Sequence, residues 1–445
     1  MIMHQLDARI RKMREVISSL VVRTERNVEG IGIAPRGTDR FEPFENGSHW
    51  ALEEGENWQD FRFTCTVPED FYGQVRLCEA TGMDGWEATM SQIVVWVNGR
   101  IEQAFDTRHL SLVLQEKAKP GETFEIFLQA YHNTQSNKAG RMPPRMRLYL
   151  ADYMDDVQQL YYDIDVPYQA AMLEKNGCRD RELTLQTLSD AVNLLDLRRP
   201  YSAEFHESVA TCRKYLKENY YDAVSQIAPE AVADCIGHTH IDVAWLWDIY
   251  QTRHKAVRTF ATMLKLMERY PEFKFMSSQA QLYQFVKEDQ PELFGRIRKA
   301  VKDGSWEAEG GMWVEADCNL SGGEALMRQF LYGNEFFEKE LGVRSRVLWL
   351  PDVFGYSAAL PQILKKSGID YFMTSKLSWS EFNLSPYVTF MWKGIDGSEV
   401  LTHFTPSREY GAEDDYERHD DLKFFTTYNA MLEPNQIKGG WKRFQ

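Results

Sequence analysis

Between about residues 40 and 153, apolar positions recur at every second residue. Phe61, Phe63, Cys65 and Val67 alternate with polar neighbours, the period of a strand with one buried face. The run IVVWV meets Asn98-Gly99, a pair suited to a hairpin turn, and TFEIFLQAYH and RMRLYLADY continue the same texture. Short strands separated by turn residues predict a β-sandwich. From about 154 to 228 the period changes. Val157, Leu160, Tyr161 and Ile164 step by three and four, as do Leu185, Leu188, Val192 and Leu195, which places each set on one helix face. This segment reads as a helical linker. Beyond about 229 two textures alternate. AVADCIG, FKFMSS, WEAEGGMWVE, RVLWLP, IDYFMTS and EVLTHF read as buried strands. Between them, Val257, Phe260, Met263 and Met267 share one helix face, and Leu326, Phe330, Phe337 and Leu341 another. Such alternation implies parallel strands covered by helices, in a barrel or a doubly wound sheet.

The fold class is therefore α/β with an all-β N-terminal domain. At 445 residues, two or three domains are expected, each able to bury its own core. A net charge of −15 argues against general nucleic-acid binding, which needs a basic face to meet phosphate. A neutral substrate such as a sugar is compatible with that charge. Six scattered cysteines, with no C-x-x-C pair, read as reduced, buried thiols. The amphipathic N-terminus MIMHQLDARIRKMREVISSL lacks the apolar core of a signal peptide, and no stretch is long and apolar enough to span a membrane. These features point to the cytoplasm.

The sharpest chemical feature is His238-Thr239-His240-Ile241-Asp242, directly after AVADCIG. In an extended backbone His238, His240 and Asp242 share a face, and an imidazole two residues from a carboxylate suits zinc. The competing reading is a strand end whose polar groups bond one another. A second feature, Trp349 to Ser357 (WLPDVFGYS), also closes an apolar run. There Asp352 either caps the next helix or projects into the same mouth as His240 and Asp242, where α/β sites assemble. A third group is Glu307, Glu309, Glu315 and Asp317, four acids in a Gly-rich aromatic run. Some of these would orient metal ligands and others would be solvated, and spacing does not sort them. Aromatics crowd the same strand ends, among them Trp245, Trp247, Trp313 and Phe354. They suit either a sugar platform or plain core.

Taken together, HTHIDVAWLW, GGMWVEADCNLSGGE, WLPDVFGYSAALPQIL, FMTSKLSW and GIDGSEVLTHF resemble the signatures of glycoside hydrolase family 38 α-mannosidases, in the family's order, over roughly 229 to 404. The upstream regions resemble the N-terminal part of the cytosolic and bacterial branch. The resemblance implies that His240 and Asp242 are zinc ligands, and that Asp352 is both third ligand and catalytic nucleophile. It implies that Trp245 and Phe354 wall the pocket for a terminal mannose and that Tyr410 touches the sugar. His238 would stand behind the ligands. The implied cofactor is zinc, with cobalt able to replace it, and the implied partner is an α-mannoside or mannose-containing oligosaccharide. Neither nucleic acid nor membrane is implied, and a homo-oligomer is compatible because family members are often oligomeric.

The architecture expected with this resemblance is a β-sandwich with a leading helix over 1–153, a helical linker over 154–228, and a seven-stranded β/α barrel over 229–445. The barrel is expected to be incomplete at its C-terminal end. The family's fourth zinc ligand, a His, and its general acid, an Asp, lie C-terminal to everything matched. Neither His403 nor His419 occupies that ligand position, and nothing places Asp414 or Asp415 at the site. The chain thus reads as a fragment or truncated form. Two rival functions follow: a sugar-binding or partner-dependent chain without turnover, and a zinc-dependent polysaccharide deacetylase. The second usually spaces two His ligands on one helical face, a pattern not found here.

Overall fold

A computed structural model of the protein describes residues 2–51, 55–81, 92–133, 144–226, 234–380, 382–383, 385–405 and 434. The chain divides into two compact units, Met1–Arg100 with Phe105–Ala233, and Ile101–Ala104 with Asp234–Gln445. It is a mixed α/β protein with several sheets.

In the first unit the alternating segments form two antiparallel sheets. One contains, in order, Glu42–Pro43, Gly32–Pro35, Glu56–Thr66, Thr123–Asn133 and Gln92–Val97. The other runs Val22–Asn27, Arg147–Tyr153, Gln74–Ala80 and Ser111–Gln115. Phe61, Phe63, Ile126 and Leu128 from the first meet Val75, Leu77, Leu148 and Leu150 from the second in one core. Period-2 patterning has this consequence: each strand gives alternate side chains to the shared interior. Asn98 and Gly99 both adopt positive φ, as a two-residue hairpin turn requires.

Three helices follow, Asp155–Met172, Arg179–Val192 and Ala203–Leu216. Their apolar faces (Leu160, Ile164, Leu185, Leu188, Phe205, Val209) pack with Ile10 and Ile17 of the leading helix Ile2–Ser19. The leading helix therefore shares a core with these helices.

The second unit holds the strand ends of chemical interest. Strands β1 (Gly237–His238), β2 (Phe275–Ser277) and β3 (Trp306–Ala308) pair in parallel. Strands β4 (Val347–Leu350), β5 (Tyr371–Thr374), β6 (Thr389–Lys393) and β7 (Glu399–Phe404) form a second sheet in the order β4-β5-β7-β6. Only β6 runs antiparallel there. A parallel bridge between Gly310 and Leu348 joins the segment after β3 to β4. Helix Ile249–Arg269 presents buried Val257 and Phe260, and Phe260, Tyr283 and Trp306 meet tilted or edge-on. Tyr283 donates its hydroxyl to the Ser277 carbonyl and accepts the Trp306 indole N–H, both at 2.8 Å. That network satisfies two polar groups inside an otherwise apolar core.

Two expectations need correction, and one strand went unpredicted. AVADCIG is not a full strand: among the described residues only Gly237–His238 pairs, and Ile236 is 55% exposed. Pairing stops there because Cys235 and Ile236 face solvent and not a neighbouring strand. Strand β6 carried no clear signal, since it is an edge strand with no buried residue and so lacks strong alternation. All six cysteines are free, but Cys235 is exposed and Cys178 half-buried, so the thiols are not uniformly interior. Among the described residues no helix is long and apolar enough to cross a membrane.

Candidate metal centre

His240 and Asp242 lie just past the C-terminal end of β1, and Asp352 lies two residues past β4. Side chains at the C-terminal ends of parallel strands project into a common mouth, which brings residues distant in sequence together. His240 Nε2 stands 3.1 Å from Asp242 Oδ1 and 3.2 Å from Asp352 Oδ2. One ligand atom from each of the three residues lies within 4.8 Å of the others. The other ring nitrogen, Nδ1, is 2.9 Å from Glu315 Oε2.

Asp352 does not cap a helix. The next helix starts at Leu360, with Ala359 as its cap residue. Capping in this region is done by Asp248, whose Oδ1 accepts the Gln251 N–H ahead of Ile249–Arg269. Asp352 is instead held in a turn. Tyr356 donates to the Val353 carbonyl at 2.9 Å and bonds Thr374 Oγ1 at 2.5 Å, tying the turn to β5. Gly355, at φ 143°, lets Asn319 approach where a Cβ would clash with its carboxamide. On the far side of the carboxylate, Lys376 Nζ is 2.9 Å from Asp352 Oδ1.

These contacts set the charges. Burial pushes the Asp352 carboxyl up, but the hydrogen bonds and charges of His240 and Lys376 outweigh it, so the group lies below the usual carboxylate range. Burial pulls His240 down. The Glu315 charge and bonds from Asp242, Asp352 and Glu315 reverse that and hold the imidazole well above its ordinary value. Three carboxylates around one imidazole demand positive charge at this point. One ring nitrogen and two carboxylate oxygens, converging with no group between them, are a donor set that fits a borderline divalent cation.

His238 goes elsewhere. Its Nδ1–H donates to the Met276 carbonyl at 3.0 Å, and its Nε2 accepts the Trp349 indole N–H at 3.2 Å. With both nitrogens used, and its pKa lowered chiefly by burial, it is a neutral strut between β1, β2 and β4. Trp245 and Phe354, three and two residues along the chain from Asp242 and Asp352, are 68% and 62% exposed. Lys376 Nζ also sits 5.7 Å from the Phe354 ring centroid. Tyr410, Asp414, Asp415 and His419 lie outside the described residues. His403 faces Thr389 on β6, with Nδ1 2.9 Å from its hydroxyl.

The four acids in and after β3 separate cleanly. Glu315 reaches His240, while Glu309 accepts the Arg346 backbone N–H at 3.2 Å. Asp317 accepts from the Asn319 and Leu320 amides, and Glu307 faces solvent. Sequence reasoning missed Lys376, Ser278 and Gln279. A lone lysine directly after the apolar run IDYFMTS was the available signal for Lys376.

Comparison with known proteins adds an independent line. Residues 231–445 match the glycosyl hydrolases family 38 N-terminal domain. Alpha-mannosidase G of Dictyostelium discoideum is 34% identical over 385 residues, covering 81% of this chain and 34% of that protein. Alpha-mannosidase 2C1 of Homo sapiens is 37% identical over 369 residues, covering 79% and 34%. The chain thus spans about a third of the length of these curated relatives. A solved alpha-mannosidase from Enterococcus faecalis V583 is 21% identical over 38% of this chain and 20% of that one, with a TM-score of 0.34.

Proposed function

Because this chain belongs to glycosyl hydrolase family 38, we propose that it works as a zinc-dependent, retaining α-mannosidase on terminal α-mannosides, with Asp352 as nucleophile. The observation that carries this reading is the convergence of His240, Asp242 and Asp352 at two strand ends, with exposed Trp245 and Phe354 nearby in sequence.

His240, Asp242 and Asp352 would hold the zinc ion, and cobalt suits the same donors. When bound there, zinc would supply positive charge for adjacent sugar hydroxyls and so favour a distorted, oxocarbenium-like transition state. Asp352 attacks the anomeric carbon as the bond to the leaving oxygen breaks, and water later hydrolyses the glycosyl ester. Lys376 keeps that carboxylate ionised and fixes its Oδ1. Trp245 and Phe354 wall the sugar pocket, stacking on C–H faces, and Tyr410 adds a polar contact. His238 stiffens the ligand strand from behind. A retaining reaction also needs a carboxylic acid about 5–5.5 Å from the nucleophile to protonate the leaving oxygen. We assign that acid to a residue outside the described ones.

Two sheets around one core suggest a β-sandwich over 1–153, followed by a helical linker over 154–228. Strands β1 to β7, linked at the Gly310–Leu348 bridge, suggest a seven-stranded β/α barrel over 229–445. Six unpaired thiols suit the reducing cytoplasm.

The test is zinc content and turnover of an aryl α-mannoside, for wild type beside His240→Ala, Asp242→Ala and Asp352→Asn. Both alanine variants should lose zinc. Asp352→Asn should lose turnover more completely than metal. Zinc bound without turnover in wild type would favour a sugar-binding chain. Unchanged zinc and turnover in all three variants would sink the site assignment.

A further inference from the structure

His240 Nδ1 and Glu315 Oε2 are 2.9 Å apart but not aligned as a regular hydrogen bond, and neither buried atom is hydrogen-bonded to any other group among the described residues. The Glu315 side chain is only 5% exposed. A buried carboxylate oxygen left alone is costly, so its position beside one ring nitrogen calls for explanation.

The surroundings fix that position from three directions. Ser278 Oγ donates to Glu315 Oε1 at 2.9 Å, which occupies one oxygen and leaves the other facing His240. The Glu315 backbone N–H donates to Gln279 Oε1 at 3.2 Å, and Gln279 Nε2 donates to the Ile241 carbonyl at 2.8 Å. One carboxamide therefore ties Glu315 to the residue lying between His240 and Asp242. Gln279 holds this bridge at φ 67°, a left-handed conformation unfavourable for a side chain of its kind. Gly310 makes the approach feasible. At φ 127° it packs on Ser278, where a Cβ would come within 2.7 Å of the serine Cβ.

Resting on the zinc reading above, we infer that Glu315 is the positioning residue of the metal centre. Its carboxylate accepts a hydrogen bond from His240 Nδ1–H, which commits the ring to one tautomer and leaves the Nε2 lone pair facing the oxygens of Asp242 and Asp352. A carboxylate behind a ligating imidazole raises its basicity and restrains its rotation, which strengthens metal binding without touching the metal.

The experiment measures the zinc Kd of the full chain by competition with a chromogenic chelator, alongside nitrogen-15 histidine spectra of the zinc-loaded protein. Glu315→Leu removes the acceptor and should weaken zinc about 10–100-fold, with faster exchange of the His240 Nδ1 proton. Glu315→Gln keeps a neutral acceptor and should weaken zinc less, about fivefold, because a charge-assisted bond becomes an ordinary one. A folded Glu315→Leu protein whose zinc Kd and Nδ1 signal match wild type overturns this inference alone. If the leucine variant does not fold, Glu315→Gln decides, and a Kd within about twofold of wild type overturns it. Wild type that binds no zinc brings down the metal reading and this inference together.

Discussion

Gly333 sits inside helix Gly323–Phe336, where helix propensity alone favours alanine by roughly 1 kcal/mol. The tertiary structure reverses that preference. A Cβ on Gly333 would meet the Gly311 carbonyl oxygen, Met312 C at 2.6 Å and Trp313 N at 2.8 Å, all backbone atoms unable to rotate aside. Overpacking costs about 1–3 kcal/mol, and rigid backbone partners place this case at the upper end, leaving a net loss of about 2 kcal/mol. The helix cannot shift freely either. Its Gln329 accepts the Trp313 N–H on its carbonyl and the Val314 N–H on its side chain, at 3.0 and 2.9 Å, directly before Glu315. Gly333→Ala should therefore also loosen the metal centre. The control is Gly295, in helix Pro291–Asp303, where a Cβ meets nothing within 4 Å. Gly295→Ala should stabilise by about 0.5–1 kcal/mol. Both glycines lie in the second unit, so one urea transition reads both variants. Gly333→Ala as stable as wild type, or both substitutions shifting stability in the same direction, would refute the packing argument.

Two further predictions concern sites away from the metal centre. His132 is 3% exposed and burial alone pulls its pKa down to about 4, so folded His132 resists a proton that the unfolded chain accepts near pH 6.5. Stability should fall by about 3 kcal/mol as pH drops from about 6.5 to about 4, and His132→Leu should flatten that part of the urea-midpoint profile. An unchanged profile in the variant would show that His132 is not the cause. Cys235, exposed, should react quickly with an aromatic disulfide reagent in the native protein. Cys65, Cys212 and Cys318, pushed up to about 12 by burial, should stay silent until unfolding, and Cys235→Ser should remove the fast phase.

Much of the architecture was legible in residue spacing, because a half-buried strand or helix must repeat its apolar positions at its own period. Phe61, Phe63 and Cys65 announced a strand, and Leu185 and Leu188 a helix, and all five are buried. The same logic put His240, Asp242 and Asp352 at strand ends, where polar residues after an apolar run are conspicuous. Strand β6 escaped because none of its residues is fully buried, and the exposed Met391 between half-buried Phe390 and Trp392 is itself apolar, which leaves no apolar–polar alternation to read.

What spacing leaves open is which distant groups touch. His238 and His240 look equivalent in H-x-H-x-D, yet Met276 and Trp349 claim both nitrogens of one, while Asp242, Asp352 and Glu315 surround the other. Four acids in and after β3 are indistinguishable as a string, and only the Ser278–Gln279 turn selects Glu315. Lys376 looks like an ordinary surface lysine until β5 packs beside β4 and delivers it to Asp352. Local periodicity is a property of one element and its solvent exposure, so the chain alone determines it. Partnership at the metal centre depends on sheet order and on turns that admit close approach at Gly310 and Gly355, and only the tertiary structure decides those.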